Sequence, residues 1–160
     1  MIRKVSLADA PTITTIYNYY IMNSDATFEL VPVSVKAMEQ RIETISTSCP
    51  YVVWEEYGDV LGYAYAHPWK ERAAYAKTYE TTVYVAPDSY RKGIGTGLMT
   101  HLINELRRMN VHALIACITG GNFPSIALHK RLGFVQVSSF REVGEKFGRQ
   151  LDVVDLELLL

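Results

Sequence analysis

Apolar and polar residues follow patterns along this chain that predict both strands and helices. The run Thr82–Val85 is rich in β-branched and aromatic residues and is followed by a proline turn, which predicts a buried strand. Leu98, Leu102 and Leu106 recur at four-residue spacing, which predicts a helix with one apolar face. The stretch Glu80–Leu106 therefore predicts a strand, a short loop and a helix around which the rest of the chain is organised.

The remaining patterns predict six more strands and three more helices. The strands are expected at 2–5, 51–54, 60–66, 113–118, 134–143 and 151–158, and the helices run from Asp9 to about Asn23, from Ser34 to about Ser48, and from Ser125 to Gly133. Turns at Tyr57–Asp59 and Gly144–Arg149 join neighbouring strands. This order predicts one mixed α/β (α+β) domain over residues 1–160, with an antiparallel meander and helices on the sheet faces.

Composition narrows the class of protein. The chain has 160 residues, 49% of them hydrophobic, and a net charge of −1, which suits one globular domain and not a nucleic-acid binder. Residues 1–4 lead directly into polar sequence without an apolar signal region, and no run could span a bilayer, so we expect a cytoplasmic protein without a membrane partner. Cys49 and Cys117 lie far apart and outside metal-ligand spacing, which predicts buried thiols and no metal site. Tyr63, Tyr65 and Met109 are expected in the core.

The loop between the predicted strand and helix carries Arg91 and Lys92 and three alternating glycines at 93, 95 and 97. Glycines at a helix start let an anion approach unpaired N–H groups, so a phosphate or pyrophosphate is the expected ligand. A close helix–strand contact is the alternative explanation. Two other phosphate loops do not fit. A P-loop needs lysine and a hydroxyl residue after the last glycine, where this chain has Leu98 and Met99, and a dinucleotide fingerprint needs its third glycine at Leu98.

Strand, basic loop, G-x-G-x-G and helix together resemble the acetyl-CoA loop of the GNAT acetyltransferase superfamily, although Tyr90 stands where that family usually has glutamine or arginine. The segment Asn122–Phe134 resembles the superfamily block N-x-x-[AS]-x-x-L-Y-x-x-x-G-F, with His129 in the tyrosine position. Three further segments, 69–75, 78–85 and 144–153, resemble phosphinothricin and methionine sulfoximine N-acetyltransferases, with Gln150 replacing a tryptophan and Tyr79 a valine.

This resemblance implies the GNAT fold, a mostly antiparallel sheet whose two splayed parallel strands, here 78–85 and 113–118, hold the cofactor. It implies acetyl-CoA as co-substrate, a small amino-acid-like substrate and a homodimer. The residues expected to bind acetyl-CoA come from the first splayed strand, the glycine loop and the start of the last helix. They are Val83, Tyr84, Val85, Arg91, Lys92, Gly93, Ile94, Gly95, Thr96, Asn122 and Ser125.

The chemistry predicts further roles. An α-ammonium must lose a proton before attacking a thioester, and Glu80, beside the apolar strand, is the candidate base, although a solvated acid at a strand edge is the alternative. Backbone groups at 84–85 are candidates to stabilise the oxyanion. His129 could supply a proton or a positive charge to the leaving thiolate. By resemblance the substrate would contact Phe28, Lys70, Arg72, Tyr75 and Thr82; Lys70 and Arg72 could equally be solvated charges.

The sequence thus predicts acetyl transfer from acetyl-CoA to the α-amino group of a small amino acid by direct attack in a ternary complex. Cys117 is the one candidate for an acyl-enzyme route, but it has no basic residue immediately beside it in the sequence. Two alternatives stay open. One is acetylation of a protein N-terminus or lysine, and the other is an acyl-CoA-binding module without catalysis.

Overall fold

A computed structural model describes all 160 residues. Eight strands and four helices make up the fold. The strands are β1 (Ile2–Lys4), β2 (Tyr51–Glu56), β3 (Asp59–Pro68), β4 (Thr78–Val85), β5 (Ala113–Thr119), β6 (Val135–Gln136), β7 (Phe140–Lys146) and β8 (Arg149–Leu159). The helices are α1 (Ala10–Asn23), α2 (Val35–Ser46), α3 (Ile94–Arg108) and α4 (Phe123–Arg131).

The strands form one mixed sheet in the order β1-β2-β3-β4-β5-β8-β6, and β7 also pairs with β8. Every pairing is antiparallel except that of β4 with β5, which is parallel. Antiparallel neighbours need only short turns, whereas the parallel pair needs a crossover, and α3 supplies it. The predicted meander of β2, β3 and β4 and the predicted parallel pair are confirmed.

Two apolar cores lie on opposite faces of the sheet. One core packs α3 against alternate residues of the central strands, including Ala64, Leu114 and Leu156. The other packs α1 and α2 against the intervening residues of β2 and β3, including Val53 and Tyr63. Because side chains alternate between faces along a strand, this division assigns a face to every strand residue. The two faces are called the α3 face and the α1 face below.

The C-terminal strands differ from the prediction. The single strand expected at 134–143 is two strands, because Ser138 exchanges side-chain hydrogen bonds of 2.9 Å with Asp155 in place of regular pairing. The turn expected at 144–149 consists only of Phe147 and Gly148, both with positive φ, which suits a two-residue hairpin turn. Residues 144–146 therefore belong to β7.

Burial also differs at some positions. Met109 follows the end of α3 and is 43% exposed, so its predicted place in the core is wrong, whereas Tyr63 is buried as predicted. Strand β4 was expected to be buried, yet only Thr81 of its eight residues is. The rest of β4 is half-buried because the sheet opens beside it. No helix of the protein combines the length and apolar character that crossing a bilayer requires.

Candidate active site

The parallel strands β4 and β5 separate along their length. They pair only at three positions, from Thr78 opposite Ala113 to Glu80 opposite Ile115, although β4 continues to Val85 and β5 to Thr119. Beyond the third pair the two backbones diverge. This V-shaped gap, the β4–β5 opening, leaves backbone hydrogen-bonding groups in the middle of a sheet without a partner strand.

Hydrogen bonds at the two ends of β4 show which of its backbone groups face the opening. Ala86 N–H donates to Leu61 O at 2.8 Å, and Trp69 N–H donates to Thr78 O at 3.0 Å. Alternate residues of an antiparallel ladder bond to the same neighbour, so Tyr84 bonds to β3 while Val83 and Val85 direct their N–H groups into the opening. The sequence placed these free groups at Tyr84 and Val85, and the structure places them at Val83 and Val85.

The glycine loop follows at the wide end of the opening. Arg91 and Gly93 have positive φ angles of 61° and 78°, a geometry found in backbone nests that bind anions. Helix α3 begins at Ile94 and its first helical bond is Gly97 N–H to Gly93 O, so the N–H groups of residues 94–96 have no backbone acceptor. Exposed Arg91 and Lys92 form no ion pair. The loop thus presents free donors and positive charge to an anion.

The three glycines have different roles. Gly93 precedes α3, whereas Gly95 and Gly97 lie within its first turn, contrary to the prediction. A Cβ on Gly97 would lie 2.5 Å from the Trp54 ring, so this glycine permits close packing of helix on sheet. A Cβ on Gly95 would meet only Leu128 at 3.4 Å and Val85 at 3.7 Å. The packing explanation therefore holds for Gly97, and the anion explanation fits Gly93 and Gly95.

Tyr90 links this loop to α1. Its hydroxyl lies 2.7 Å from that of Tyr20, and Tyr20 also donates to Val85 O at 2.5 Å. The tyrosine that replaces the expected glutamine or arginine thus joins the loop to the end of β4 through a second tyrosine. Sequence reasoning missed this pair because the two residues are 70 positions apart.

Helix α4 borders the opening on the α3 face. Asn122 Oδ1 accepts from Ser125 N–H at 3.3 Å and caps the helix. His129 is 3% exposed, its Nδ1 lies 2.8 Å from Ser125 O, and its ring packs edge-on against Phe134. Nδ1 must carry the proton to bond with a carbonyl oxygen, which leaves buried Nε2 as an unpaired acceptor. Burial lowers the pKa of His129, although the Ser125 carbonyl opposes this. A neutral, buried imidazole is a poor proton donor at neutral pH.

This lowered pKa predicts a pH dependence of stability. The unfolded chain takes up a proton on His129 near the ordinary value of 6.5 and the folded chain does so only at lower pH. The contribution to the free energy of unfolding is therefore complete above pH 6.5 and lost as pH falls below it, by about 1.4 kcal/mol per pH unit at most. Urea unfolding at pH 7.5, 6 and 5 should show this loss relative to His129→Asn, which retains a donor for Ser125.

The matched control is His112→Asn, because His112 is exposed. This variant should follow the wild-type pH dependence. Parallel stability curves for the wild type and His129→Asn would contradict the assignment of a buried, neutral histidine.

Glu80 occupies the narrow end of the opening, on the α1 face. Tyr84 packs in the core of that face and Val83 in the opposite one, so alternation places Glu80 and Thr82 on the α1 face with Tyr84. Glu80 is half-buried and its carboxylate accepts no protein hydrogen bond. Burial raises its pKa, opposite-strand His67 opposes this, and Asp155 adds to it. A carboxyl group with these properties suits proton transfer near neutral pH.

Cys117 lies on the same face, opposite Asp155 of β8. It is exposed, so the prediction that both cysteines are buried is wrong for Cys117 and right for Cys49. Partial desolvation, together with Asp155 and Glu80, raises the pKa of the Cys117 thiol to about 12. The thiol therefore stays protonated at neutral pH and is a poor nucleophile.

The connection from β3 to β4 brings two of its expected substrate residues, Lys70 and Tyr75, together around Trp69. Lys70 Nζ lies 4.1 Å from the centre of the Trp69 ring and 5.4 Å from that of Tyr75, in cation–π contact with both. Arg72 is exposed at the start of the short 3₁₀ helix Ala73–Tyr75 and has no carboxylate partner. This loop joins β4 at Thr78, two residues before Glu80.

Phe28 approaches the site from the segment between α1 and α2. It is 39% exposed, and its ring covers Gly144 of β7. The hydroxyl of Thr119, at the end of β5, donates to Asp25 O at 2.6 Å, and the Tyr84 hydroxyl of β4 makes a longer contact of 3.4 Å with Ala26 O. The segment therefore crosses the opening on the α1 face.

Comparisons with known proteins agree with this geometry. Residues 2–154 match the family described as acetyltransferase (GNAT) domain. The phosphinothricin N-acetyltransferase of Alcaligenes faecalis is 39% identical over 96% of this chain and 79% of that protein. The L-methionine sulfoximine/L-methionine sulfone acetyltransferase of Pseudomonas aeruginosa is 37% identical over 99% of this chain and 94% of that protein.

Solved structures show the same fold. A GNAT superfamily phosphinothricin acetyltransferase from Sinorhizobium meliloti, in complex with AcCoA, has a TM-score of 0.97 at 37% identity, covering 100% of this chain and 88% of that one. A ribosomal-protein-alanine N-acetyltransferase from Brucella melitensis also has a TM-score of 0.97 at 37% identity, covering 100% and 99%. With the family match spanning nearly every residue, the chain belongs to the GNAT family of N-acetyltransferases.

Proposed function

We propose that this enzyme transfers the acetyl group of acetyl-CoA to the α-amino group of a small amino-acid-like substrate of the phosphinothricin, methionine sulfoximine or methionine sulfone type. The observation that carries the proposal is Glu80, a half-buried carboxylate without a protein hydrogen bond at the narrow end of the β4–β5 opening. The curated relatives named for these substrates support it.

The residues present fit acetyl-CoA. The free N–H groups of residues 94–96 and the cations Arg91 and Lys92 suit its pyrophosphate, and space beside Gly93, where an added Cβ would meet no atom within 4 Å, lets that group approach. The free N–H group of Val85 suits an amide carbonyl of its pantetheine arm. Acetyl-CoA supplies the acetyl thioester.

Glu80 prepares the amine. At neutral pH the substrate's α-amino group is an ammonium, and Glu80 accepts one proton from it, directly or through a water, to expose the nucleophilic lone pair. The raised pKa strengthens Glu80 as a base. The nitrogen gives up a second proton as the amide forms, and this proton is available to the leaving thiolate. No proton from His129 is then required.

The oxygen that gains negative charge during transfer needs a donor. The N–H of Val83 lies in the opening between Glu80 and the glycine loop and is free of the β3 ladder. One well-placed donor of this kind contributes about 3 kcal/mol to catalysis. We assign this role to Val83.

Direct transfer within a ternary complex is favoured over an acyl-enzyme. Cys117 is the candidate nucleophile for that route, and its raised pKa keeps the thiol protonated. An acyl-enzyme route would need a basic partner to remove that proton, and the neighbours of Cys117 are the acids Asp155 and Glu80.

The other end of the substrate carries a carboxylate and, in these compounds, phosphinate or sulfone oxygens. Arg72 and Lys70 supply positive charge, Tyr75 and Thr82 supply hydroxyl donors, and Phe28 provides an apolar surface for the methylene stem. The short β3–β4 connection favours a small amine over a large substrate.

A protein N-terminus is the second candidate substrate, because the Brucella melitensis structure is named for a ribosomal protein. Replacing Arg72 distinguishes the two. Arg72→Ala removes a charge-assisted bond at an exposed position, so we expect about a tenfold fall in kcat/KM for methionine sulfone and phosphinothricin. Arg72→Lys should recover only part of this loss, because an ammonium lacks the planar pair of donors.

The control is Arg107→Ala, which removes an exposed arginine in the last turn of α3. Steady-state coenzyme A release should be unchanged in this variant. A wild type that prefers a peptide with a free N-terminus, or an Arg72→Ala variant with full activity on both amino acids, would favour the protein substrate. Absence of turnover with every amine would instead favour an acyl-CoA-binding module.

We further propose a homodimer. Supporting this, Val135, Val137, Phe140 and Phe147 are each at least 50% exposed and lie on or beside the last hairpin. Large apolar side chains exposed on neighbouring strands suit a protein–protein interface. Sedimentation velocity checks the oligomeric state. We also propose a cytoplasmic location, where acetyl-CoA is available and unpaired cysteines stay reduced.

A further inference from the structure

The segment Asp25–Glu29, called the strap here, carries Phe28 across the β4–β5 opening. Its carbonyl oxygens at Asp25 and Ala26 accept hydrogen bonds from Thr119 and Tyr84, which lie on the two separating strands. On its other side the hydroxyl of Thr27 lies 2.9 Å from that of Tyr17, and Glu29 accepts bonds of 2.6 and 3.0 Å from Arg41. The strap is thus fixed by both helices and both strands.

A buried lysine provides a further anchor. Lys146 of β7 is 3% exposed, and its Nζ donates to Thr27 O at 2.7 Å. Burial lowers the pKa of Lys146, and no carboxylate lies within ion-pairing distance of it. Burying an ammonium group costs free energy unless it is compensated. The compensation found here is a strap carbonyl and the face of the Phe147 ring, whose centre lies 5.1 Å from Nζ, with Asp25 as a more distant negative charge.

A glycine of the same strand makes room for Phe28. A Cβ on Gly144 would lie 2.7 and 2.9 Å from Cζ and Cδ2 of the Phe28 ring, closer than real carbon contacts allow. Gly144 does not have a positive φ angle, so its backbone conformation does not require glycine. Space for the aromatic ring is the requirement that the structure shows.

We infer that Gly144 and Lys146 are positioning residues that hold the Phe28 strap against the opening and thereby set the enzyme's selectivity for the side chain of its amine substrate. No role in acetyl transfer is assigned to the segment 144–149, yet three of its residues contact the strap. Lys146 donates to Thr27 O, Arg149 Nη2 lies 3.7 Å from Asp25 Oδ2, and Gly144 lies against the Phe28 ring. This inference rests on the proposed function, because Phe28 is assigned there to the substrate's methylene stem.

A double-mutant cycle tests the Gly144 contact. Gly144→Ala should displace the Phe28 ring and raise KM for methionine sulfone about tenfold, with kcat within twofold and acetyl-CoA affinity unchanged. Phe28→Ala should have a similar effect. Because both changes remove the same contact, the double variant should be no worse than Phe28→Ala alone. Additive losses in kcat/KM, or an equal loss of acetyl-CoA affinity, would overturn the inference.

Lys146→Met tests the second anchor without a new clash. Hydrogen exchange followed by mass spectrometry should show at least tenfold faster exchange of the amides in residues 25–29, because the strap opens more often. KM for methionine sulfone should also rise in the Lys146→Met variant. The control Lys36→Met removes an exposed lysine from α2 and should change neither quantity. Wild-type exchange rates in Lys146→Met would overturn the anchoring role.

The proposed function and the positioning role are contradicted by different results. A wild type that acetylates none of these amino acids would contradict the proposed function. A wild type that acetylates them, with selectivity unaltered by Gly144→Ala and Lys146→Met, would contradict only the positioning role.

Discussion

Replacing Glu80 with glutamine is expected to lower kcat about 100-fold at neutral pH, because glutamine keeps the shape of the side chain but cannot accept the proton of an α-ammonium. In the wild type, kcat/KM should rise with pH as Glu80 ionises. Since burial raises the pKa of Glu80, this rise should lie at a higher pH than the ordinary glutamate pKa of 4.5. Steady-state kinetics between pH 5 and 9.5 measures both effects.

The Glu80→Gln variant should lose the rise of kcat/KM with pH that is expected in the wild type. Its activity should recover in part at high pH, where free amine is already present in solution. Glu157→Gln is the matched control, since Glu157 lies on the same sheet face, on β8 opposite Ile115. It should retain the wild-type profile. If Glu80→Gln shows the same profile as the wild type, Glu80 has a structural role and the proposed base is wrong.

Replacing Gly95 with aspartate is expected to weaken acetyl-CoA binding about 100-fold. The new carboxylate would lie in the first turn of α3, where unpaired N–H groups are proposed to bind the pyrophosphate. Repulsion between two negative charges about 6 Å apart near a protein surface is on the order of 2–3 kcal/mol, which corresponds to a 100-fold loss of affinity. An acid in the first turn of a helix favours folding, so the variant should stay folded.

Gly95→Asn separates charge from bulk, because asparagine has the same size and no charge. A Cβ at this position meets its neighbours at 3.4 and 3.7 Å, within ordinary contact distance, so we expect Gly95→Asn to bind several-fold tighter than Gly95→Asp. Isothermal titration calorimetry with acetyl-CoA measures both. Equal affinity of the wild type and Gly95→Asp would mean that the cofactor does not use this helix terminus.

Local patterns predicted those parts of the fold that local interactions determine. The hairpin of β2 and β3 was visible from two runs of apolar residues around Tyr57–Asp59, and Tyr57 and Gly58 do adopt the positive φ angles of a two-residue turn. The apolar face of α3 was visible from its leucine spacing. The split of the last strands was not, because it depends on Ser138 bonding to Asp155 from 17 residues away.

The site was predicted less completely, for the same reason. Spacing identified the glycine loop, but not that Gly97 packs on a tryptophan 43 residues earlier. Only the paired register showed that Cys117 lies beside two acids on an open face. The bond from Lys146 to Thr27 spans 119 positions and has no local signal. Resemblance indicated that the segment around Lys146 matters, and only the tertiary contacts explain why.

Tyr79 and Gln150 depart from the family pattern, and the structure shows what each of them contacts. Tyr79 packs against the α3-face core, away from the face that carries Glu80. Gln150 is exposed, and its side-chain amide donates to the Glu145 carboxylate at 2.9 Å. Glu145 lies between the two β7 residues that contact the strap, so its side chain points to the opposite face of the strand. We therefore expect neither residue to contact the amine.

The β4–β5 opening also affects how the enzyme survives heat. Three residue pairs join the two strands directly, whereas seven join β3 to β4 and seven join β5 to β8, so the centre of the sheet has fewer cross-links than the strand pairings on either side of it. A ligand lying in the gap would bridge the two halves, and at a hundred times its dissociation constant it adds about 2.7 kcal/mol to the free energy of unfolding. Acetyl-CoA would then protect the enzyme as well as react on it, and starvation for acetyl-CoA would shorten the lifetime of the folded protein.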